Sequence, residues 1–442
     1  MSSGSGLIIA APKSGSGKTL ITAGLLRHLR RCGIRVAAAK AGPDYIDPTF
    51  HARASGRPCC NLDPWAMRPA TLASLTAECE TAAELVLCEG VMGLFDGAGP
   101  DGETGSTAEL ARVTGWPVVL VVDADGQGAS VAALVAGFAR HDPRVRLAGV
   151  ILNRVASPRH RVLLTEAIGR HLPGLPVLGA MPRDKSLALP ARHLGLVPAG
   201  EDATAVEALI DRAATAVGSE IDIDRLIALA RPSRCSVAPG APALPALGQK
   251  IAIARDDAFL FAYETTLSGW RRQGAAISFF SPLADEAPPP DTDAIYLPGG
   301  YPELHAGRLA AAVGFLGGLR GAAARGKAIY GECGGYMVLG DALTDADGKT
   351  HSMAGLLPVA TSFAEPRRHL GYRAARLLAT GPLGVEGTRF RGHEFHYARV
   401  VAEGDSDPLF AVADAGGNDL GRAGLRRGSV FGSFIHLIDR EC

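Results

Sequence analysis

Two short stretches, far apart in the chain, hold residues whose types and spacing can do chemistry. Lys13–Thr19 reads KSGSGKT, directly after an apolar run and directly before a helical pattern. In that setting Gly15 and Gly17 let successive backbone N–H groups turn inward on a phosphate. The helix N-terminus adds partial positive charge, Lys18 reaches the β- and γ-phosphates, and the Thr19 hydroxyl is offered to Mg²⁺. Gly331–Gly335 reads GECGG, between the apolar run AIY and the helical pattern YMVLGDAL. A cysteine on such a tight strand-to-helix turn is exposed for nucleophilic attack, and the helix N-terminus favours its thiolate.

Acids at other strand ends complete the first of these sites. Lys40–Asp47 reads KAGPDYID, and Glu89–Gly97 reads EGVMGLFDG. Carboxylates at the C-terminal ends of parallel strands face the ligand crevice, and Mg²⁺ takes oxygen ligands, so Asp47 and Glu89 join Thr19 as metal-side groups. Asp44 is an alternative acid or a turn former. Asp123, closing PVVLVVD, competes for the metal side. Asn153, in VILNR, ends another strand and can donate and accept at a purine edge or cap a loop.

The second site needs a base and an oxyanion hole. His436, in FGSFIH, is the first choice for the base, placed just beyond a strand; His393 and His396, in GHEFH, are the others. The N–H groups of Gly334 and of Gly300, in LPGGY, are candidates for holding the oxyanion.

The elements that must position these residues follow from periodicity. Continuous apolar runs at Leu7–Ala11, Arg35–Lys40, Glu84–Glu89, Pro117–Asp123, Leu147–Asn153 and Val177–Ala180 alternate with helical stretches such as Leu20–Arg31 and Ala129–Arg140. That order predicts a doubly wound parallel sheet covered on both faces. Two helices follow, Ala203–Val217 and Ile223–Ala230. The stretch 231–248, rich in Pro, Ala and Gly, reads as a linker between a first domain over 1–230 and a second over 249–442. Strands near Lys250–Arg255, Ala276–Phe280, Ala294–Leu297 and Ala328–Gly331 open the second domain, and Arg389–Val400 and Ser429–Ile435 read as antiparallel.

Composition narrows the classes. The 442 residues are 47% hydrophobic and 20% charged, with 45 basic and 45 acidic residues, which points away from disorder and from a nucleic-acid partner. The start MSSGSG lacks a signal-peptide pattern, and no apolar run is long enough for a membrane span. Eight cysteines without paired CxxC spacing point away from a zinc site or a disulfide framework and toward the cytoplasm. The adjacent Cys59 and Cys60 read as two ordinary thiols.

Taken together, APKSGSGKT, KAGPDYIDP with His51, NLDPWAM, CEGVMGLFDG, GVILNRV, LPARHLGLVP, YLPGGYPE, GECGGYMVLG, LGYR, GHEFHY and GSFIH resemble the cobyrinic and hydrogenobyrinic acid a,c-diamide synthases over nearly the whole chain. The first half also resembles dethiobiotin synthetase, and the second the class I glutamine amidotransferases of the cobyric-acid type. The resemblance implies an α/β P-loop domain joined to an α/β amidotransferase domain. It further implies ATP-dependent amidation of the a and c acetate side chains of a corrin acid, with L-glutamine as nitrogen donor, Mg²⁺ as cofactor, and a shielded path for ammonia. Pro12 before the loop is more similar to the enzymes acting on metal-free hydrogenobyrinic acid than to those acting on cobyrinic acid. Tyr45, His51, Arg367, Arg368, Tyr372 and Arg373 offer the cations and aromatic faces a polyanionic ring needs, and Asp44, beside Tyr45, is a further substrate-side residue. A homodimer is the assembly entertained.

One departure from the amidotransferase pattern concerns His436. The acid two positions after the histidine is absent, and Asp439 is the substitute considered for orienting the ring. Nickel-sirohydrochlorin a,c-diamide synthase and the longer cobyric acid synthase share the chemistry. Lys13 stands where P-loop ATPases of the deviant type carry an additional lysine, so a partitioning or switch ATPase is the reading from another class. It has no use for Cys333.

Overall fold

The computed structural model describes residues 4–99, 102–187, 191–192, 195–196, 203–236 and 242–441. The motif LPARHLGLVP, residues 189–198, falls largely outside them, as does the middle of the stretch expected to be a linker. The chain divides into two compact units. One comprises Met1–Trp65 and Pro69–Gly240, the other Ala66–Arg68 and Ala241–Cys442.

The first unit is built on a seven-stranded sheet. Its strands are β1 (Ser5–Ala10), β2 (Val36–Ala41), β3 (Cys60–Leu62), β4 (Leu85–Glu89), β5 (Val118–Asp123), β6 (Leu147–Val155) and β7 (Val177–Pro182), in the order β3-β2-β4-β1-β5-β6-β7, all parallel. Leu7, Ile8 and Ile9 of β1 and Val119–Val122 of β5 are completely buried, because helices cover both faces of a parallel sheet. The edge strand β3 is missing from the sequence reading. It is three residues long and lacks the apolar run that marks the others. Helix α1 (Lys18–Arg31) starts at the phosphate loop, and α2 (Asp47–Ser55) opens with Pro48 in its first turn, where a missing N–H costs nothing. Register sets Lys40 opposite Glu89 and Asp123 opposite Asn153 at the C-terminal ends of their strands.

The second unit carries a ten-stranded sheet. Ala276–Phe280, Lys250–Ala254, Ala294–Leu297, Ala328–Glu332 and Val430–Ser433 run parallel in that spatial order. Antiparallel strands Asp419–Arg427, Asp407–Ala413, His369–Leu377, Arg389–His396 and Ile435–Arg440 extend it. The two-residue period of a strand divides the core into two layers. Ala252, Ala254, Ile295, Leu297 and Ile329 feed one layer; Ile251, Ile253, Ala294, Tyr296 and Tyr330 feed the other.

Two strand expectations are corrected. Arg389–Val400 is not one element: after His396 the chain leaves the sheet, buries Ala398, and resumes as Arg399–Glu403 in a separate four-stranded sheet. Ser429–Ile435 also splits. The Ser433 hydroxyl accepts the Ile435 N–H at 3.1 Å and bends the chain at Phe434. Val430–Ser433 therefore pairs parallel with Ala328–Glu332, and His436 lies inside the next strand, not beyond a strand end.

Candidate active sites

In the first unit the phosphate loop is held in shape before any ligand enters. Gly15 (φ 77°) and Gly17 (φ 95°) adopt left-handed backbone, which costs a glycine little and other residues about 1 kcal/mol or more. The Ser16 hydroxyl donates to the Lys13 carbonyl at 3.0 Å. Asn153 Nδ2 donates to the Ser16 carbonyl at 2.8 Å, and Arg154 donates to the Gly15 carbonyl at 2.9 Å. Asn153 thus braces the loop, the loop-capping alternative, with its Oδ1 accepting the Arg154 N–H. Lys13 is exposed. Lys18 Nζ donates to the Met92 carbonyl at 2.6 Å, and burial lowers its ammonium pKa against the opposing pull of Glu89.

Behind Thr19 lies a buried charge network. Thr19 Oγ1 is 2.8 Å from Glu89 Oε1 and 3.4 Å from Asp47 Oδ2. Lys40 Nζ lies 2.6 Å from Asp47 Oδ2, 3.2 Å from Glu89 Oε1 and 3.8 Å from Asp44 Oδ2. His51 Nε2 meets Glu89 Oε2 at 2.5 Å. Burial alone would raise the Glu89 pKa, but Lys40, His51 and Lys18 pull it down to about 2. Asp47 is pushed the other way, by burial and by Asp44. Burial works against the Lys40 ammonium, yet Asp47, Glu89 and Asp44 hold it firmly protonated.

Thr19, Asp47 and Glu89 converge as expected, and an all-oxygen set of this kind fits Mg²⁺. Asp123 does not join them: it pairs with Arg154 at 2.6 Å. Asp44 accepts the N–H groups of Ile46 and Asp47 at 2.8 and 3.1 Å and so shapes the entry to α2. His51 is fully buried against Glu89, and Tyr45 is buried too. Lys40 is the residue sequence reasoning missed, although a lysine within the buried run VAAAKA was its signal. Cys59 and Cys60 are free thiols.

In the second unit the nucleophile turn is strained as its motif suggests. Cys333 has φ 48° and ψ −105°, a region costly for any side-chain-bearing residue. Its N–H donates to the Ser433 carbonyl at 2.8 Å, and Gly335 N–H donates to the Pro298 carbonyl at 3.1 Å. Gly299 has no room for a side chain. A Cβ there would sit 2.5 Å from His436 Cε1, 3.2 Å from His436 Nε2 and 3.3 Å from Cys333 Cβ. The Cys333 side chain and the His436 imidazole thus share the Gly299 wall. Gly300 N lies 3.0 Å from where a Cβ on Gly334 would be, so the two oxyanion candidates are neighbours.

The electrostatics correct one expectation. Cys333 is 3% exposed, and burial, aided by Glu303, pushes its thiol well above the ordinary range. Burial and the neighbouring imidazoles of His393 and His396 hold His436 down to about 3. The resting pair is therefore thiol and neutral imidazole rather than a standing thiolate. The six-residue helix Gly334–Leu339 does not outweigh desolvation.

His393 and His396 lie on the strand beside His436, with His393 directly opposite it in register. Cys333 Sγ is 4.0 Å from the Phe395 carbonyl on that strand. His396 Nε2 meets Glu394 at 2.9 Å, its Nδ1 faces the Ala398 carbonyl at 3.1 Å, and its ring stacks on Phe434 at 3.9 Å. Arg373, expected on a polyanionic substrate, is committed to Glu394 at 2.6 Å.

Asp439 is not the partner of His436. It is fully buried and forks onto Arg68, whose Nη2 is 2.7 Å from Oδ1 and whose backbone N–H is 2.9 Å from Oδ2. An acid upstream of the histidine lies beside the ring: Glu332 Oε2 is 3.7 Å from His436 Nδ1. Sequence reasoning passed over Glu332 because the search for an acid ran downstream of the histidine.

Residues 7–197 match the family model described as the CobQ/CobB/MinD/ParA nucleotide binding domain, and residues 250–441 match the CobB/CobQ-like glutamine amidotransferase domain. A protein of Brucella anthropi named hydrogenobyrinate a,c-diamide synthase is 56% identical over 98% of this chain and 98% of its own length. One of Rhizobium meliloti with the same name is 55% identical over 98% of this chain and 99% of its own. Another, of Brucella suis, is 56% identical over 98% of both chains. With both domain models and near-complete coverage in agreement, the chain belongs to the hydrogenobyrinate a,c-diamide synthase family.

Proposed function

We propose that the enzyme amidates the a and c side-chain carboxylates of hydrogenobyrinic acid, using ATP for activation and glutamine for nitrogen. Residues 1–230 act as the synthetase domain and 249–442 as the glutaminase, joined by 231–248. One observation carries this reading. A phosphate loop whose Thr19 meets two carboxylates occurs on the same chain as a strained cysteine that shares a glycine wall with an imidazole.

In the first half-reaction a substrate carboxylate oxygen attacks the γ-phosphorus and the bond to the β–γ bridging oxygen breaks. Bound Mg²⁺, for which Thr19, Asp47 and Glu89 are the candidate holders, supplies charge neutralisation on the phosphate oxygens. Lys18 and the loop N–H groups stabilise the charge that spreads in the transition state. Lys40 holds Asp47 and Glu89 in place through the same oxygens, Asp47 Oδ2 and Glu89 Oε1, that face Thr19. Phosphate is then the group that ammonia displaces.

In the second half-reaction His436 Nε2 takes the Cys333 thiol proton as sulfur adds to the glutamine amide carbon. The oxyanion is received by the N–H groups of Gly300 and Gly334. Nε2 returns the proton to the departing nitrogen and ammonia leaves. Nε2 next takes a proton from water, whose oxygen adds to the thioester; sulfur departs and recovers that proton, releasing glutamate. A raised thiol and a lowered imidazole suit concerted transfer, since neither group carries charge until substrate arrives.

We place the reaction in the cytoplasm; the free state of every described cysteine supports this. The test is incubation with hydrogenobyrinic acid, ATP, Mg²⁺ and glutamine, followed by mass measurement. Two successive acid-to-amide mass changes are expected; an unchanged macrocycle sinks the reading.

A further inference from the structure

We propose that Glu332, the residue immediately before the nucleophile, is the positioning acid for His436 and takes the place of the carboxylate missing two positions after that histidine. The inference rests on the glutaminase role just assigned to Cys333 and His436, and deepens it.

The carboxylate is fixed from three sides. Tyr296 Oη donates to Oε2 at 2.6 Å, Tyr330 Oη donates to Oε1 at 2.7 Å, and the Leu437 N–H donates to Oε1 at 3.1 Å. Strand geometry explains the arrangement. Tyr330 and Glu332 are two apart and share a face, and Tyr296 is registered opposite Tyr330 on the adjacent strand. The Leu437 contact ties the carboxylate to the strand that carries His436. Oε2 then lies 3.7 Å from His436 Nδ1, with both side chains buried.

A buried acid held by three donors and facing an imidazole has a defined consequence. Its oxygen facing Nδ1 favours the Nδ1–H tautomer, which leaves the Nε2 lone pair to take the Cys333 proton. When Nε2 takes the thiol proton, the new imidazolium faces a carboxylate across a short gap in a dry site, where charge pairing is strong. The proton stays on the imidazole throughout. Glu332 contributes orientation and charge and never carries the proton. The other titratable groups around the ring are Cys333, His393, His396, Glu394 and Tyr263. The His393 and His396 imidazoles oppose charge on His436 and Glu394, on the adjacent strand, favours it; the case for Glu332 is its position 3.7 Å from Nδ1. Burial pushes the Glu332 carboxyl up to about 7, against the pull of Tyr296, Tyr330 and Leu437. Its ionisation thus falls within the working pH range.

Glu332→Gln preserves shape and removes the charge. The expected result is a fall of about 10- to 100-fold in glutaminase kcat. KM for glutamine should be unchanged, and ammonium-dependent synthesis should remain at wild-type level. A folded variant with wild-type kcat overturns the proposal. ¹⁵N-histidine NMR of the wild-type enzyme, with His436 assigned through a His436→Asn spectrum, supplies an independent reading that does not require the variant to fold. An Nδ1–H tautomer is expected, and an Nε2–H tautomer overturns the proposal. Wild-type enzyme that releases no glutamate from glutamine counts against the proposed function, while the tautomer still reports on Glu332.

Discussion

His51 Nε2 lies 2.5 Å from Glu89 Oε2, with both side chains sealed from solvent. This contact leaves the other oxygen of Glu89 for Thr19. His51→Ala removes one of the groups that keep a buried carboxylate charged, a loss of about 2 kcal/mol for a hydrogen bond to an ion. The variant is expected to have a lower urea midpoint and a weaker dependence of synthesis on Mg²⁺, with glutaminase activity unchanged. The sign of the pH effect follows from Glu89. Its pKa is held at about 2 against an ordinary 4.5, so the folded state binds this proton more weakly than the unfolded chain. The stabilisation is complete above 4.5 and is lost as pH falls toward 2. In His51→Ala the acid-unfolding midpoint should move to higher pH. An unmoved midpoint contradicts the charge-balancing role.

Lys18 and Cys333 should separate the two half-reactions. Lys18→Ala removes a cation from the phosphoryl transition state and is expected to lower ammonium-dependent synthesis by about 10²- to 10³-fold. Glutamine hydrolysis by the folded variant continues. Cys333→Ala gives the reverse pattern: no glutamine-dependent product, with synthesis from added ammonium salts retained. Steady-state rates with each nitrogen source, with and without ATP, measure both. Loss of both activities in folded Cys333→Ala argues against the division of labour.

How much of this was legible in the sequence depends on whether a residue acts through its local run or through a distant strand. The β1 run ending in KSGSGKT places Lys18 and Thr19 almost by itself, because strand, loop and helix are contiguous. Glu89 is readable for the same reason, as the charged end of LVLCE. Lys40 and Glu332 were missed because each acts across the sheet, on partners 49 and 104 positions away (Glu89 and His436). Asp123 could not be ranked among the metal-side acids from sequence because its partner, Arg154, comes from the neighbouring strand. The thiolate expectation failed for a physical reason too: sequence displays the helix N-terminus but not the depth of burial that opposes it.

Gly299→Ala tests the shared wall. Its added carbon would fall 2.5 Å from His436 Cε1, closer than such atoms approach, so the ring must move. A displacement of about 1 Å at a catalytic group costs on the order of 10²-fold in rate. Glutaminase kcat should fall by that order and the urea midpoint should drop, an overpacked site costing about 1–3 kcal/mol, while ammonium-dependent synthesis by the folded variant stays near wild type. Full activity in Gly299→Ala contradicts the placement of Cys333 and His436 against this glycine.

Asp439 provides the contrast to Glu332. Because Asp439 is spent on Arg68, Asp439→Asn should act on stability rather than on rate. Replacing one member of a buried ion pair leaves an uncompensated charge and costs about 3–5 kcal/mol. Arg68 is 14% exposed on its side chain, so partial hydration of its guanidinium favours the lower end. The folded enzyme at low temperature should keep its glutaminase kcat and its pH–rate profile, with a urea midpoint clearly reduced. If instead Asp439→Asn lowers kcat and leaves the midpoint untouched, then Asp439 and not Glu332 serves His436 in solution, and the pairing with Arg68 is incidental to catalysis.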